Sequence, residues 1–345
     1  MKPIIITLLL ITCMILSCND DTSIITEKPP CLSSGSCKYA LGLPTDTDDL
    51  ILEYYSSFDV QSTDVTWENL TSAVIMIHGN NRNSNEYFDW LTTTLASIDK
   101  SENTVLIAPH LKTATDINGD NELIYWSSAG WKVGDNSQNT TTTKYSSYAI
   151  IDEFISLLSD KTKFPILEKI IVTGHSSGGQ FTQAYAAANS NNDDISGINV
   201  HYIPANTQYY FYPREERYNN NTNQFEIPQN CGTYHNWPYG TNNLNGYFGS
   251  ATPETINTRY INRNINYLLG SSDINTGGTF NDTDCQANLL GATRFNRGEN
   301  MFSLMETYFE NTHTHQKIIV NGVGHSPANM YQSTQAKQLF SDILD

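Results

Sequence analysis

One pentapeptide constrains this chain more than any other stretch: Gly174-His175-Ser176-Ser177-Gly178, set between an apolar run and an alanine-rich segment. The run before it, Lys169–Thr173, has the length of a buried strand, and Gln180–Ala188 after it reads as helix. A strand that becomes a helix over so few residues must turn sharply. Bulky side chains two positions either side of the apex would collide, which calls for glycine at 174 and 178. Gly179 extends that freedom and lets the helix sit close to the sheet. The apex residue, Ser176, is then presented with its hydroxyl exposed, as a nucleophile requires.

The rest of the chain supplies a setting for such a turn. Asp49–Val60 alternates in strand fashion, and Ala73–Ile77 is a continuous apolar run, as expected for a strand covered on both faces. Glu86–Ile98 has helical spacing, Thr104–Ala108 is another buried strand, and Tyr148–Leu158 is an amphipathic helix. Strands follow at Asn199–Ile203, Asn266–Leu269 and Lys317–Val320, with a last helix from about Ala328 to Leu344. This alternation predicts an α/β protein with a doubly wound, mostly parallel sheet and crossover helices. Residues 207–260 are rich in Tyr and Asn and show no clear period, so a cap or lid insertion over the site is expected there.

Serine is a weak nucleophile at neutral pH and needs a base beside it. His325 lies in Gly322-Val323-Gly324-His325-Ser326-Pro327, a strand exit followed by a turn and a helix start. His313 and His315 precede their strand and belong to its opposite end, and the turn directs the His175 side chain elsewhere. His325 is therefore the expected base. Its acid partner should follow the next-to-last strand, where Gly270-Ser271-Ser272-Asp273 places Asp273 on the carboxyl edge of the sheet. Glu215 is a distant second. An oxyanion needs backbone N–H donors: Ser177 after the nucleophile, and Asn80 in His78-Gly79-Asn80-Asn81, with Asn81 in reserve. His78 itself reads as a loop support.

Together, His-Gly-Asn at 78–80, Gly-His-Ser-Ser-Gly at 174–178, Gly-Ser-Ser-Asp at 270–273 and Gly-Val-Gly-His at 322–325 resemble the α/β-hydrolase superfamily, in particular secreted bacterial esterases and lipase-like enzymes. Tyr87-Phe88, Trp237-Pro238-Tyr239-Gly240 and the Arg294/Arg297-Gly298 segment are similar to a less studied branch of predicted hydrolases. The resemblance covers about residues 50–345. It implies the α/β-hydrolase fold and ester or amide hydrolysis through an acyl-enzyme, with no cofactor or metal. It leaves the substrate open. The Asn pair after His78-Gly79 departs from the His-Gly-Gly-Gly loop of one lipase group.

The N-terminus bears on location. Lys2 and the apolar stretch to Leu16 form an export signal over residues 1–17, too short to span a bilayer. Ile15-Leu16-Ser17-Cys18 resembles a bacterial lipobox, so Cys18 is the expected lipidation site, followed by a tether over 18–45 and a catalytic domain over 46–345. Of six Cys, Cys13 leaves with the signal and Cys18 takes the lipid. The remaining four suit an oxidising compartment, and the pairing chosen is Cys31–Cys37 with Cys231–Cys285. An exported protein attached to a bacterial membrane by a lipid, periplasmic or at the surface, is the expectation. The formal net charge of −17 repels phosphate backbones, which argues against nucleic-acid binding. Asp116–Glu122 has calcium-loop-like Asp/Asn spacing without the full motif and reads as a solvated turn.

These readings lead to a serine hydrolase acting on a small-molecule or polymer ester. The alternatives are a peptidase of the same fold, and a catalytically silent surface lipoprotein that binds a glycan or partner. Trp126, Trp131, Tyr209, Tyr210, Phe211, Trp237 and Tyr239 would line an aromatic cleft, or else form a lid core of their own.

Overall fold

The structure is a computed structural model that describes residues 28–47, 49–190, 195, 197–277 and 281–345. The expected signal over 1–17 and the expected lipidation site Cys18 lie outside the described residues. In chain order the elements begin with β1 (Lys38–Leu43), β2 (Leu50–Ser56), β3 (Ser72–Ile77), α1 (Ser84–Ala96) and β4 (Thr104–Pro109). Next come α2 (Ser147–Leu158), β5 (Lys169–His175), α3 (Ser177–Ala188) and β6 (Asn199–Ala205). A small hairpin of β7 (Arg217–Asn219) and β8 (Gln224–Glu226) precedes α4 (Pro253–Ile261) and β9 (Asn264–Gly270). The chain closes with α5 (Cys285–Asn288), α6 (Arg294–Phe309), β10 (Gln316–Val320), α7 (Pro327–Tyr331) and α8 (Thr334–Leu344).

The main sheet has the order β1-β2-β4-β3-β5-β6-β9-β10. β2 runs antiparallel to β1 and β4, and every other neighbouring pair is parallel. Side chains alternate across a strand, so the central strands feed two separate cores. Ala73, Ile75, Ile77, Ile170 and Val172 pack on one face with α2, α3, α4 and α6. Val74, Met76 and Ile171 pack on the other with α1, α7 and α8. Near-continuous burial of β3, β4 and β5 follows from this double cover. The architecture is the α/β-hydrolase fold.

The structure departs from the sequence reading at several places. The expected tether over 18–45 gives up Lys38–Leu43 to the sheet, where this segment pairs residue for residue with β2 as its edge strand. Its neighbour Cys37 is fully buried and bridged to Cys31, while Cys231 is bridged to Cys285. The last helix is two: α7 stops at Tyr331 with Gln332 as its C-cap, and Ser333 caps α8 by accepting from the Ala336 N–H. Helix α6 has no counterpart in the reading. Its buried stripe is Arg294, Arg297, Gly298, Met301, Leu304 and Met305, with i, i+3, i+4 spacing occupied in its first half by two arginines and a glycine.

Residues 207–260 are only partly an excursion. Tyr210, Phe211, Tyr212, Phe248, Ile256 and Tyr260 belong to the same core as α3 and β9. Trp126 and Trp131 are fully buried there as well, so these aromatics fill the interior instead of walling a cleft. Asp116 is held by Thr113 and by an ion pair with Arg82 at 2.5 Å. Burial opposes its ionisation, but those bonds outweigh it and hold the carboxyl down at about 2. The Asp116–Glu122 turn is thus tied by protein groups. Among the described residues no helix is long and apolar enough to cross a membrane.

Candidate active site

The site sits at the carboxyl ends of β3, β5, β9 and β10. Ser176 adopts φ 59° and ψ −117°, a conformation that non-glycine residues enter only when the surroundings force it. Those surroundings are backbone. A Cβ on Gly174 would lie 2.4 Å from the Gly178 backbone, and one on Gly178 would lie 2.2 Å from the Ile77 carbonyl oxygen. Gly179 meets the Ala205 carbonyl at 2.7 Å in the same sense. The elbow closes because these three positions carry no side chain.

Ser176 Oγ lies 3.0 Å from His325 Nε2, and His325 Nδ1 lies 2.7 Å from Asp273 Oδ2. A carboxylate only accepts, so Nδ1 carries the proton and Nε2 accepts from the serine hydroxyl; this tautomer is assigned from the network. Asp273 is fully buried, Ser176 is 7% exposed, and the His325 side chain is 25% exposed. Glu215, the reserve acid, is exposed on the loop before β7, while its neighbour Glu216 pairs with Arg214.

Two partners of this constellation have no role in the sequence reading, where Arg294 enters only within a resemblance and Asn206 not at all. Arg294, at the first turn of α6, places Nη1 3.5 Å from Asp273 Oδ1, both groups being buried. That is longer than a normal hydrogen bond, so the contact is mainly electrostatic. Asn206 follows β6 and ties the acid loop to the histidine loop. Its Oδ1 accepts from the Gly270 N–H at 2.7 Å, and its Nδ2 donates to the Gly324 carbonyl at 3.0 Å. The same two loops are joined by Ser271 N–H to Val320 O and Ser272 N–H to Val323 O, each at 3.0 Å.

His175 differs from expectation. Its ring faces His325 with centroids 4.5 Å apart, and it lines the cleft beside Ser176. Burial first, then the neighbouring His325 and Arg294, push its pKa well below the ordinary value, so it is neutral. His78 supports its loop as expected: Nε2 accepts from the Leu111 N–H and Nδ1 donates to the Gly79 carbonyl, each at 3.0 Å. His315 lies at the far end of β10, donating to Tyr260 O and accepting from the Tyr267 hydroxyl.

Asn80 and Asn81 line the cleft with Ser176, and Ser177 opens α3, where first-turn N–H groups have no carbonyl within the helix. The cleft, of about 250 Å³, is further lined by Gly79, Asn83, Glu86, Tyr87, Trp90, His325 and Pro327. No residue of 207–260 lines it. A larger cleft, of about 690 Å³, lies away from this chemistry beside the β7–β8 hairpin and Cys231. Among the described residues no cluster of His, Cys, Asp and Glu could hold a metal ion.

Comparison with solved structures returns the same architecture. Poly(aspartic acid) hydrolase-1 from Sphingomonas sp. KT-1 superposes with a TM-score of 0.59 at 16% identity, over 88% of this chain and 97% of that one. LpqC, a poly(3-hydroxybutyrate) depolymerase from Bordetella parapertussis, gives 0.57 at 16% identity, over 88% of each. At this identity the likeness concerns the fold. No protein-family model matches the chain, and no curated protein does.

The buried imidazoles make a prediction about acid. Burial lowers His78 and His315 to about 3, whereas the unfolded chain takes up these protons near 6.5. Between those values the unfolded state binds more protons, so stability is complete above pH 6.5 and is lost as pH falls towards 3. Each ring contributes a slope of up to about 1.4 kcal/mol per pH unit. Urea unfolding at pH 7.5, 5.5 and 4.5 should show this decline, and His315→Gln should flatten it. A stability that stays level or rises on acidification would contradict the assignment.

Proposed function

We propose that this chain is a serine hydrolase that cleaves carboxylic esters through an acyl-enzyme. The observation that carries the reading is the unbroken chain Ser176–His325–Asp273, at 3.0 and 2.7 Å, on a strained elbow beside an open cleft. Ser176 Oγ attacks the ester carbonyl while His325 Nε2 takes its proton. Charge develops on the carbonyl oxygen, where the Ser177 and Asn80 amides donate to it. The imidazolium, steadied by Asp273, gives its proton to the departing alkoxide. Water then repeats the sequence on the acyl-serine, releasing the acid and restoring the hydroxyl.

Neutral His175 adds no positive charge beside the base, which supports His325 as the group that cycles its proton. The two disulfides fit an oxidising, exported setting. The lipobox around Cys18 supports attachment to a membrane through lipid, with residues after it as a tether. The substrates of the two similar structures differ from each other, a polyamide of aspartate and a polyester, so the fold leaves the choice to the cleft.

Turnover of p-nitrophenyl acetate should be readily measurable and should fall by about 10⁴-fold or more in Ser176→Ala and in His325→Ala, because triad members act as a unit. A folded Ser176→Ala protein that retains the wild-type rate would overturn the reading.

Arg294 gives a finer test. Its guanidinium is a buried positive charge 3.5 Å from Asp273 Oδ1, and removing it leaves the buried carboxylate with one charged partner fewer. Arg294→Gln should therefore lower kcat/KM for p-nitrophenyl acetate by about tenfold or more, and Arg294→Lys should restore most of the rate. An unchanged kcat/KM in a folded Arg294→Gln protein, with only the Tm reduced, would make Arg294 purely structural.

A further inference from the structure

The cleft beside Ser176 has a composition that selects among esters. One wall is the start of α1 and the loop before it, carrying Asn80, Asn81, Asn83 and Glu86. Asn83 Nδ2 donates to Glu86 Oε2 at 2.5 Å, which fixes the two side chains relative to one another. Tyr87 and Trp90 come from the same helix, their rings 5.0 Å apart and tilted by 60°. Tyr87 is buried, and Trp90 is partly exposed at the cleft. His175 is almost fully buried in the lining, and neither of its ring nitrogens has a protein partner.

Three classes of ester are disfavoured by these features. Pockets for drug-sized ligands hold about 300–1,000 Å³, so an open cleft of about 250 Å³ lined by Asn80, Asn81, Asn83 and Glu86 covers only a short acyl chain with apolar surface. No Lys or Arg is among its lining residues, Glu86 is there, and the chain carries −17 overall, which together repel a polyanion. A quaternary ammonium would suit Trp90 and Glu86. It offers no hydrogen bond to three asparagines or to the His175 ring, and covering amides without partners is costly.

A pyranose ring matches what remains. Its C–H face is apolar and packs on an aromatic ring, while its hydroxyls both donate and accept, as planar amides and a carboxylate require. Resting on the hydrolase reading above, we infer that this cleft is a glycosyl subsite and that the natural substrate is a sugar bearing a small acyl group. Trp90 stacks under the ring, Asn81, Asn83 and Glu86 bind its hydroxyls, and the acyl carbonyl reaches Ser176. Cleavage then yields the free sugar hydroxyl and a short carboxylate, with water as the only co-reactant.

The experiment compares kcat/KM for a monoacetylated methyl pyranoside with that for ethyl acetate, whose leaving group is a similar alcohol, alongside acetylcholine and p-nitrophenyl octanoate. The sugar ester should lead ethyl acetate by about tenfold or more, and Trp90→Ala and Asn83→Ala should each shrink that ratio by about tenfold. Equal rates for sugar ester and ethyl acetate would overturn the inference. So would preference for acetylcholine or octanoate, or a ratio untouched by both substitutions, even with p-nitrophenyl acetate turned over normally. If the folded protein cleaves no ester at all, the hydrolase reading fails and takes this inference with it.

Discussion

Where α3 begins, its backbone crosses the end of β3 at contact distance. A Cβ on Gly178 would lie 2.2 Å from the Ile77 carbonyl oxygen and 2.6 Å from that of His78. This approach lets the chain reverse from β5 into α3 with Ser176 at the apex in a left-handed conformation. It also brings the loop after β3 beside the nucleophile, so that Asn80 lines the cleft with Ser176 while Ser177 follows at the buried start of α3. His78 then fixes that loop through two bonds inside the protein, and burial keeps its ring neutral. The strain at Ser176 is sustained by two packed cores, one on each face of the sheet.

The second half of the site depends on a different set of contacts. Asp273 and His325 come from loops 52 residues apart in sequence, and their meeting rests on backbone bonds between those loops and on Asn206 between them. Gly270 is part of this: a Cβ there would lie 2.5 Å from the Val323 carbonyl oxygen. Behind the acid, Arg294 supplies a buried positive charge. A buried carboxylate facing both an imidazole and a guanidinium is less exposed to the penalty of an unpaired charge. That arrangement ties the chemistry of the site to helix α6, whose first turn Thr293 caps by accepting from the Asn296 N–H.

Much of this was legible in the sequence because its signals are local. Apolar runs mark β3, β4 and β5, and glycines at 174 and 178 mark a close backbone approach. Ser176, Asp273 and His325 each follow a strand-like segment, and the structure brings these three together. What was not legible depends on tertiary context. Strand β1 is short, with every second residue exposed, and gains its place only by pairing with β2. Helix α6 turns Arg294 and Arg297 inward, against the usual meaning of arginine. Arg294 faces Asp273, while Arg297 donates to the carbonyls of Gln208, Asp282 and Gly291 and so holds three loops. Asn206 looks like a turn residue, and His175 was expected to face away. The aromatics of 207–260 gave no period because they fill an irregular core joined to the sheet.

The role proposed for Ser176 is tested most directly by reacting the folded protein with a fluorophosphonate, digesting it, and locating the adduct by mass spectrometry. One phosphonylated residue, Ser176, is the expected result. An adduct on a neighbouring hydroxyl such as Ser177 or Ser271, or a folded protein left unmodified, would contradict it.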